Sequence, residues 1–198
     1  MILLCQYVFG VVFVELGSFV EIKRGVRVVR SQLSTDCGFP VYQNSMTPLG
    51  YYEKSNCSAN TAFVIAAGAA GEIGYSADEF WAADDCFYFD CPEWLLSRYL
   101  YHALLCQKDE LSRHVRKASI PRLSRQAIER LCIPLPSIYE QKRIVSILDC
   151  FDALCNDLNS GLPAEIEART KQYEYYRDKL LTFESAKQKG VSCSVPIH

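Results

Sequence analysis

Ile133-Pro134-Leu135-Pro136-Ser137-Ile138-Tyr139-Glu140-Gln141-Lys142-Arg143-Ile144 marks the place where one kind of structure gives way to another. Pro134 and Pro136 fix φ and hold the residues before them extended, so no helix starts ahead of Ser137. Ser137 reads as an N-cap, and Glu140 three residues later completes a capping box. Behind that start, apolar residues recur at Ile144, Ile147, Phe151, Leu154 and Leu158, in steps of 3, 4, 3 and 4. Asn159-Ser160-Gly161-Leu162-Pro163 is a helix stop followed by a new proline start. A second seam follows at Ile166, Thr170, Tyr173, Arg177 and Leu180. Seams this narrow bury little against their own globule and predict a partner helix. Upstream of Ser137 the sequence breaks into short strands and turns. The expectation is therefore an α+β chain: a globular domain of short strands with a few helices, followed by a long helical coiled-coil arm.

These residues also carry a resemblance. Pro134-Leu135-Pro136, Glu140-Gln141-Lys142-Arg143-Ile144-Val145 and Leu148-Asp149 form its first part. Leu162 to Arg169 and Gln172 to Leu181 form the second. Together they resemble the shared helical region of type I restriction–modification DNA-specificity subunits. Pro40-Val41-Tyr42, Gly50-Tyr51-Tyr52 and Trp81 to Cys86 are similar to that family's recurring strand–loop segments and extend the match into the globular part. The resemblance implies a target recognition domain over residues 1–136, a helical spacer and dimerisation arm over 137–186, and a loose tail over 187–198. It also implies a non-catalytic role. The domain binds one half of a bipartite site in double-stranded DNA, and the arm sets the spacing and docks methyltransferase subunits. Through the complex the chain meets a restriction subunit, and coiled-coil pairing brings the second recognition half.

The 198 residues suffice for one domain with a real core plus an appendage. A net charge of −2 argues at first sight against nucleic acid, but the distribution is uneven. Residues 31–97 hold one base against nine acids, whereas residues 98–130 hold eight bases against three. Lys23, Arg24, Arg27 and Arg30 form a further basic stretch. A domain divided this way can turn a basic face to a duplex. Ten cysteines stand without any C-x-x-C, giving zinc no support, and all ten are read as reduced, in keeping with a cytoplasmic protein. No metal or cofactor is expected. Met1 to Leu16 is nearly continuous apolar sequence, too short for the ~20 residues of a membrane span, and its valines favour a buried strand or strand pair around Gly10.

Short strands are expected around Phe19–Gly25, Phe39–Tyr42, Thr61–Ala67, Ile73–Tyr75 and Trp81–Phe89, with a turn followed by aromatics over Thr47–Tyr52. Pro92 to Leu111 reads as one amphipathic helix, Arg125 to Arg130 as a short one, and Leu131 to Leu135 as the last strand. The basic loop between them is the first DNA candidate. Arg113, Arg116, Lys117 and Arg122 suit phosphates, and Ser119 suits a hydrogen bond to backbone or base. Lys23, Arg24 and Arg27 are either phosphate contacts or a solvated strand end. Ala67-Gly68-Ala69-Ala70-Gly71 is either a glycine-rich phosphate cradle without polar side chains or a tight packed turn. Tyr51, Tyr52 and Trp81 are better read as core than as base-stacking residues.

The rival function is a DNA-acting nuclease or hydrolase with a helical oligomerisation arm. Asp84, Asp85, Cys86 and His102 are its nearest approach to a catalytic set, but nothing orders them as nucleophile, base and orienter. A glycine-rich methyl-donor loop, a Walker sequence and helicase signatures are all missing from the sequence.

Overall fold

The computed structural model describes residues 11–153 together with residues 171 and 172. The chain groups into two units, Met1–Asp149 and Cys150–His198, and the sheets lie in the first. Among the described residues nine strands follow one another: β1 (Val12–Glu15), β2 (Glu21–Arg24), β3 (Phe39–Tyr42), β4 (Tyr51–Tyr52), β5 (Thr61–Ile65), β6 (Ile73–Ser76), β7 (Trp81–Ala82), β8 (Cys86–Asp90) and β9 (Cys132–Leu135). Helices α1 (Ser97–Cys106), α2 (Lys108–His114) and α3 (Arg125–Glu129) fall between β8 and β9, and α4 covers residues 138–153. Among the described residues no helix is long and apolar enough to cross a membrane.

The main sheet is antiparallel, in the order β2-β8-β5-β6. Strand β5 lies inside it, and all five of its residues are buried. Its period-2 alternation serves two cores at once. Ala62 and Val64 face a large cluster with Leu100, Leu104, Ile128 and Leu135, while Phe63 and Ile65 face a smaller one with Phe80 and Cys86. A second sheet, β4-β3-β7, pairs β3 antiparallel with β4 and parallel with β7. The segment expected as a single strand from Trp81 to Phe89 therefore divides. A turn at Ala83–Asp85, closed by Cys86 N–H to the Ala83 carbonyl at 3.0 Å, sends β7 to the small sheet and β8 to the large one.

Strand β1 pairs antiparallel with β9, from Val12 opposite Leu135 to Glu15 opposite Cys132. The apolar stretch before Leu16 thus enters the domain as the partner of its closing strand. Leu16 itself is buried, its N–H on the Leu131 carbonyl at 2.8 Å. The strand expected before Gly10 lies outside the described residues.

One helix was expected from Pro92 to Leu111, and two form. Pro92 heads a turn, closed by Leu95 N–H at 2.9 Å, and α1 begins only after Leu96. Gln107 leaves helical geometry (φ −99°, ψ 10°), and Leu104 before it and Leu111 after it are both buried in the large core.

Helix α4 begins where the prolines require. Ser137 Oγ accepts from Glu140 N–H at 3.4 Å, but the reciprocal half of the capping box is not made: the Glu140 carboxylate turns to Arg143, 2.6 Å away. The root of α4 is bound to its own domain. Gln141 is fully buried; its Oε1 accepts from Leu96 N–H at 3.0 Å, and its Nε2 donates to the carbonyls of Trp94 (3.1 Å) and Pro136 (3.0 Å). Ile144 and Val145 pack on the large core. Farther along, Asp149 accepts from Arg98 at 2.8 Å and hydrogen-bonds His102 at 2.9 Å. The expectation that the seam buries little against its own globule is corrected at Ile144, which packs on the domain. Ile147 and Phe151 are 43% and 60% exposed. Leu154, Leu158, Ile166, Tyr173 and Leu180 lie outside the described residues.

Candidate nucleic-acid interface

Loops far apart in sequence converge on the turn after β5. Gly68 and Gly71 adopt φ of +83° and +91°, values open to glycine with little cost. A side chain at Gly68 would also stand 2.7 Å from the Asn44 carbonyl oxygen. Main-chain hydrogen bonds fasten the turn to its neighbours. Ala69 N–H donates to the Asn44 carbonyl at 2.9 Å, Gly68 N–H to the Pro121 carbonyl at 3.2 Å, and Leu123 N–H to the Ala66 carbonyl at 2.8 Å. Arg116 and Arg122 exchange backbone hydrogen bonds (2.8 and 3.2 Å), closing the neck of a loop. At its tip Lys117, Ser119 and Ile120 are exposed.

Beside this junction lies an open cleft of about 350 Å³, lined by Arg24, Arg122, Arg125, Asp85, Ala66 and Ala67 among others. Arg24 comes from the end of β2 and is steadied by its Nε on the Asp84 carbonyl at 2.8 Å. Arg125, at the start of α3, is held by Glu129 one turn on at 2.7 Å. Ser124 caps that short helix through Ala127 N–H at 3.2 Å. The Arg122 guanidinium has no partner among the described residues. Arg125 is paired with Glu129, but Arg24 and Arg122 stand against the single carboxylate of Asp85, which suits the cleft to an anion, and their planar forks match phosphate oxygens.

The structure divides the other sequence candidates. Lys23 and Arg24, adjacent in β2, point to opposite faces of the sheet. Lys23 Nζ lies 2.5 Å from Asp90 and 3.4 Å from Glu21, and its hydrogen bond to Asp90 chiefly holds the ammonium above its ordinary pKa. It is already neutralised, on the face away from Arg24. Arg27 is exposed in the segment after β2. Arg113 is exposed on α2 and pairs with Glu110 at 2.9 Å. Arg116 stands at the loop neck, with Lys117 and Ser119 beyond it. Arg125 and Asn44 are not among the sequence candidates. Arg125 follows a serine cap directly, and that signal was available. Nothing local connects Asn44 to a loop more than seventy residues away.

Tyr52 and Trp81 meet edge to face at 4.9 Å, and Trp81 Nε1 donates to the Val26 carbonyl at 2.8 Å, so both rings are engaged in holding the small sheet. Asp84, Asp85, Cys86 and His102 do not assemble. Cys86 is fully buried, its thiol pushed well up by burial, and His102 is bonded to Asp149.

Residues 10–168 match the family described as the type I restriction modification DNA specificity domain. The specificity subunit of the type I restriction enzyme EcoR124I/EcoR124II of Escherichia coli is 44% identical over 91 residues, 45% of this chain and 22% of that one. A putative type I restriction enzyme specificity subunit of Haemophilus influenzae is 30% identical over 186 residues, 86% of this chain and 48% of the relative. The crystal structure of the S subunit of a type I restriction–modification system from M. genitalium superposes with a TM-score of 0.68 at 21% identity, covering 89% of this chain and 47% of that one. That likeness is one of fold, with mixed strands and helices. The chain spans about half the length of the larger relatives it matches. It belongs to the type I restriction–modification DNA specificity family.

Proposed function

We propose that this chain reads one half of a bipartite site in double-stranded DNA for a type I restriction–modification complex, as a recognition component that performs no chemistry itself. The observation that carries the reading is the convergence of Arg24, Arg122 and Arg125 on one cleft beside three backbone-stitched loops, in a chain of this family. Phosphate contacts from the cleft fix register, with Arg27, Arg113, Arg116, Lys117 and Ser119 around it and Lys23 a weaker contributor; the loops supply base contacts. On this reading residues 1–136 form the recognition domain, 137–186 the coiled-coil spacer arm and 187–198 a tail. The arm docks methyltransferase subunits and, through them, a restriction subunit, and pairs with a second recognition half through Ile147, Phe151 and the seam beyond. The complex works in the cytoplasm, where its DNA is.

The test is an adenine-methylation map of the host with the gene deleted, then restored as wild type or as the double variant Arg24→Ala/Arg122→Ala. Deletion removes one bipartite motif, the wild type restores it, and the double variant does not. If no motif is lost while the partner methyltransferase is expressed, the reading fails. With purified chain and duplex, the double variant lowers the slope of log K against log salt by about 2. Lys23→Ala changes it less than either single arginine variant.

A further inference from the structure

We propose that Asn44 reads an adenine: its carboxamide makes paired hydrogen bonds to N6 and N7 of that base in the major groove, while the Arg24–Arg122–Arg125 cleft holds neighbouring phosphates. The inference rests on the DNA-reading function above and names the residue and base that give it sequence content.

Four observations carry it. Asn44 is exposed, and its carboxamide has no partner among the described residues. Ser45 beside it is spent internally, its Oγ on the Thr47 carbonyl at 2.8 Å. Second, the backbone behind the amide is fixed, since the Asn44 carbonyl takes Ala69 N–H at 2.9 Å and its Cβ lies where any side chain at Gly68 would collide. A polar group carried free on a fixed backbone loses little freedom on binding, which favours contact with a ligand.

Third, Asn44 stands next to the anion cleft. Ala67 lines the cleft and bridges Arg122, while Ala69, two residues on, holds Asn44. Two residues of chain span at most about 7 Å. The major groove is about 12 Å wide, so a phosphate on its rim and a base edge on its floor come within reach of the two sites together. Fourth, the chemistry selects the base. A carboxamide presents one acceptor and one donor side by side, the complement of the adenine N6 donor and N7 acceptor; guanine offers two acceptors there and suits arginine instead.

The experiment selects binding duplexes from a pool with a randomised core, using the full chain as wild type, Asn44→Ala and Asn44→Asp, and sequences the survivors. Both variants keep Cβ and the carbonyl that holds Ala69. Wild type is expected to select a motif containing an A·T pair at which the variants lose preference, every other position being retained. Affinity for the selected duplex falls about tenfold in the variants. The salt slope of Asn44→Ala stays that of wild type, because an amide releases no counterion. Replacing that adenine by 7-deazaadenine, which lacks the N7 acceptor, costs wild type a similar factor and costs Asn44→Ala nothing further.

An unchanged motif in Asn44→Ala overturns the proposal and leaves DNA reading intact. So does relaxation at a G·C pair, or a uniform weakening at all positions with a lowered melting temperature, which would mark a structural asparagine. A wild-type chain that selects no motif overturns the DNA-reading function, and this inference with it.

Discussion

Two successive seam positions of α4 are written in the same pattern and meet opposite fates. Ile144 and Ile147 sit three residues apart on one seam, yet the first packs on the domain core and the second stands 43% exposed. Gln141 before this pair and Asp149 after it bind α4 to the start and middle of α1, while Phe151, the next seam position after Ile147, is exposed as well. Heptad spacing tells which residues share a stripe and nothing of what the stripe touches. Here the polar residues beside the seam mark the difference, since a buried glutamine that satisfies one amide and two carbonyls cannot be part of a free arm.

The strongest way to break the comparison is at Gln141. Gln141→Leu keeps the volume but removes the partner of Leu96 N–H and the side-chain donor to the Trp94 carbonyl. It should cost about 3 kcal/mol, a fall in melting temperature on the order of 10 °C for a domain this size. If thermal unfolding moves by only a degree or two, the root is not an anchor. Next comes Ile144→Ala, expected to cost roughly 1–2 kcal/mol in denaturant unfolding, reduced from a full core deletion because the side chain is only partly buried.

Asp149 sharpens the contrast through pH. Burial works against its charged form, but hydrogen bonds from His102 and Arg98 outweigh it and hold the carboxyl below its ordinary value of 3.8. The depressed pKa means that this stabilisation is complete above about pH 4 and drains away as pH falls through the folded value. Asp149→Asn should be slightly less stable at neutral pH and show a flatter acid limb. Parallel acid limbs in the two proteins would rule out the pairing as a source of stability. The smallest effect belongs to the exposed end: Ile147→Ala/Phe151→Ala should shift domain stability by no more than about 0.5 kcal/mol. The same double change should weaken self-association in sedimentation, and if association is untouched the exposed seam is not a pairing surface.

Much of the fold was readable from local rules. The proline pair and Ser137 placed the start of α4 correctly, and aromatic and β-branched runs located most strands. Pairing was not readable: no local feature of Val12–Glu15 announces that it joins Cys132–Leu135, because that choice is made by burial across the whole chain. The break at Gln107 was hidden for the same reason, since Leu111 bends inward to fill the core. At the interface, Arg122 and the loop after Arg116 stood out by charge. The separation of Lys23 from Arg24 was available from strand alternation alone. No local feature marks Gln141 as buried, since a glutamine on a helix ordinarily faces water.

The turn at Ala66–Gly71 binds its neighbouring loops through peptide groups and asks nothing of their side chains. Asn44, Lys117, Ser119 and Ile120 are therefore free to be exchanged without loosening the junction, since any residue supplies the same carbonyl or amide. A framework written in main chain and a reading surface written in side chains can change independently. A lineage carrying this architecture can acquire a new recognition sequence by a few surface substitutions, with the cost in stability confined to the glycines that no other residue replaces.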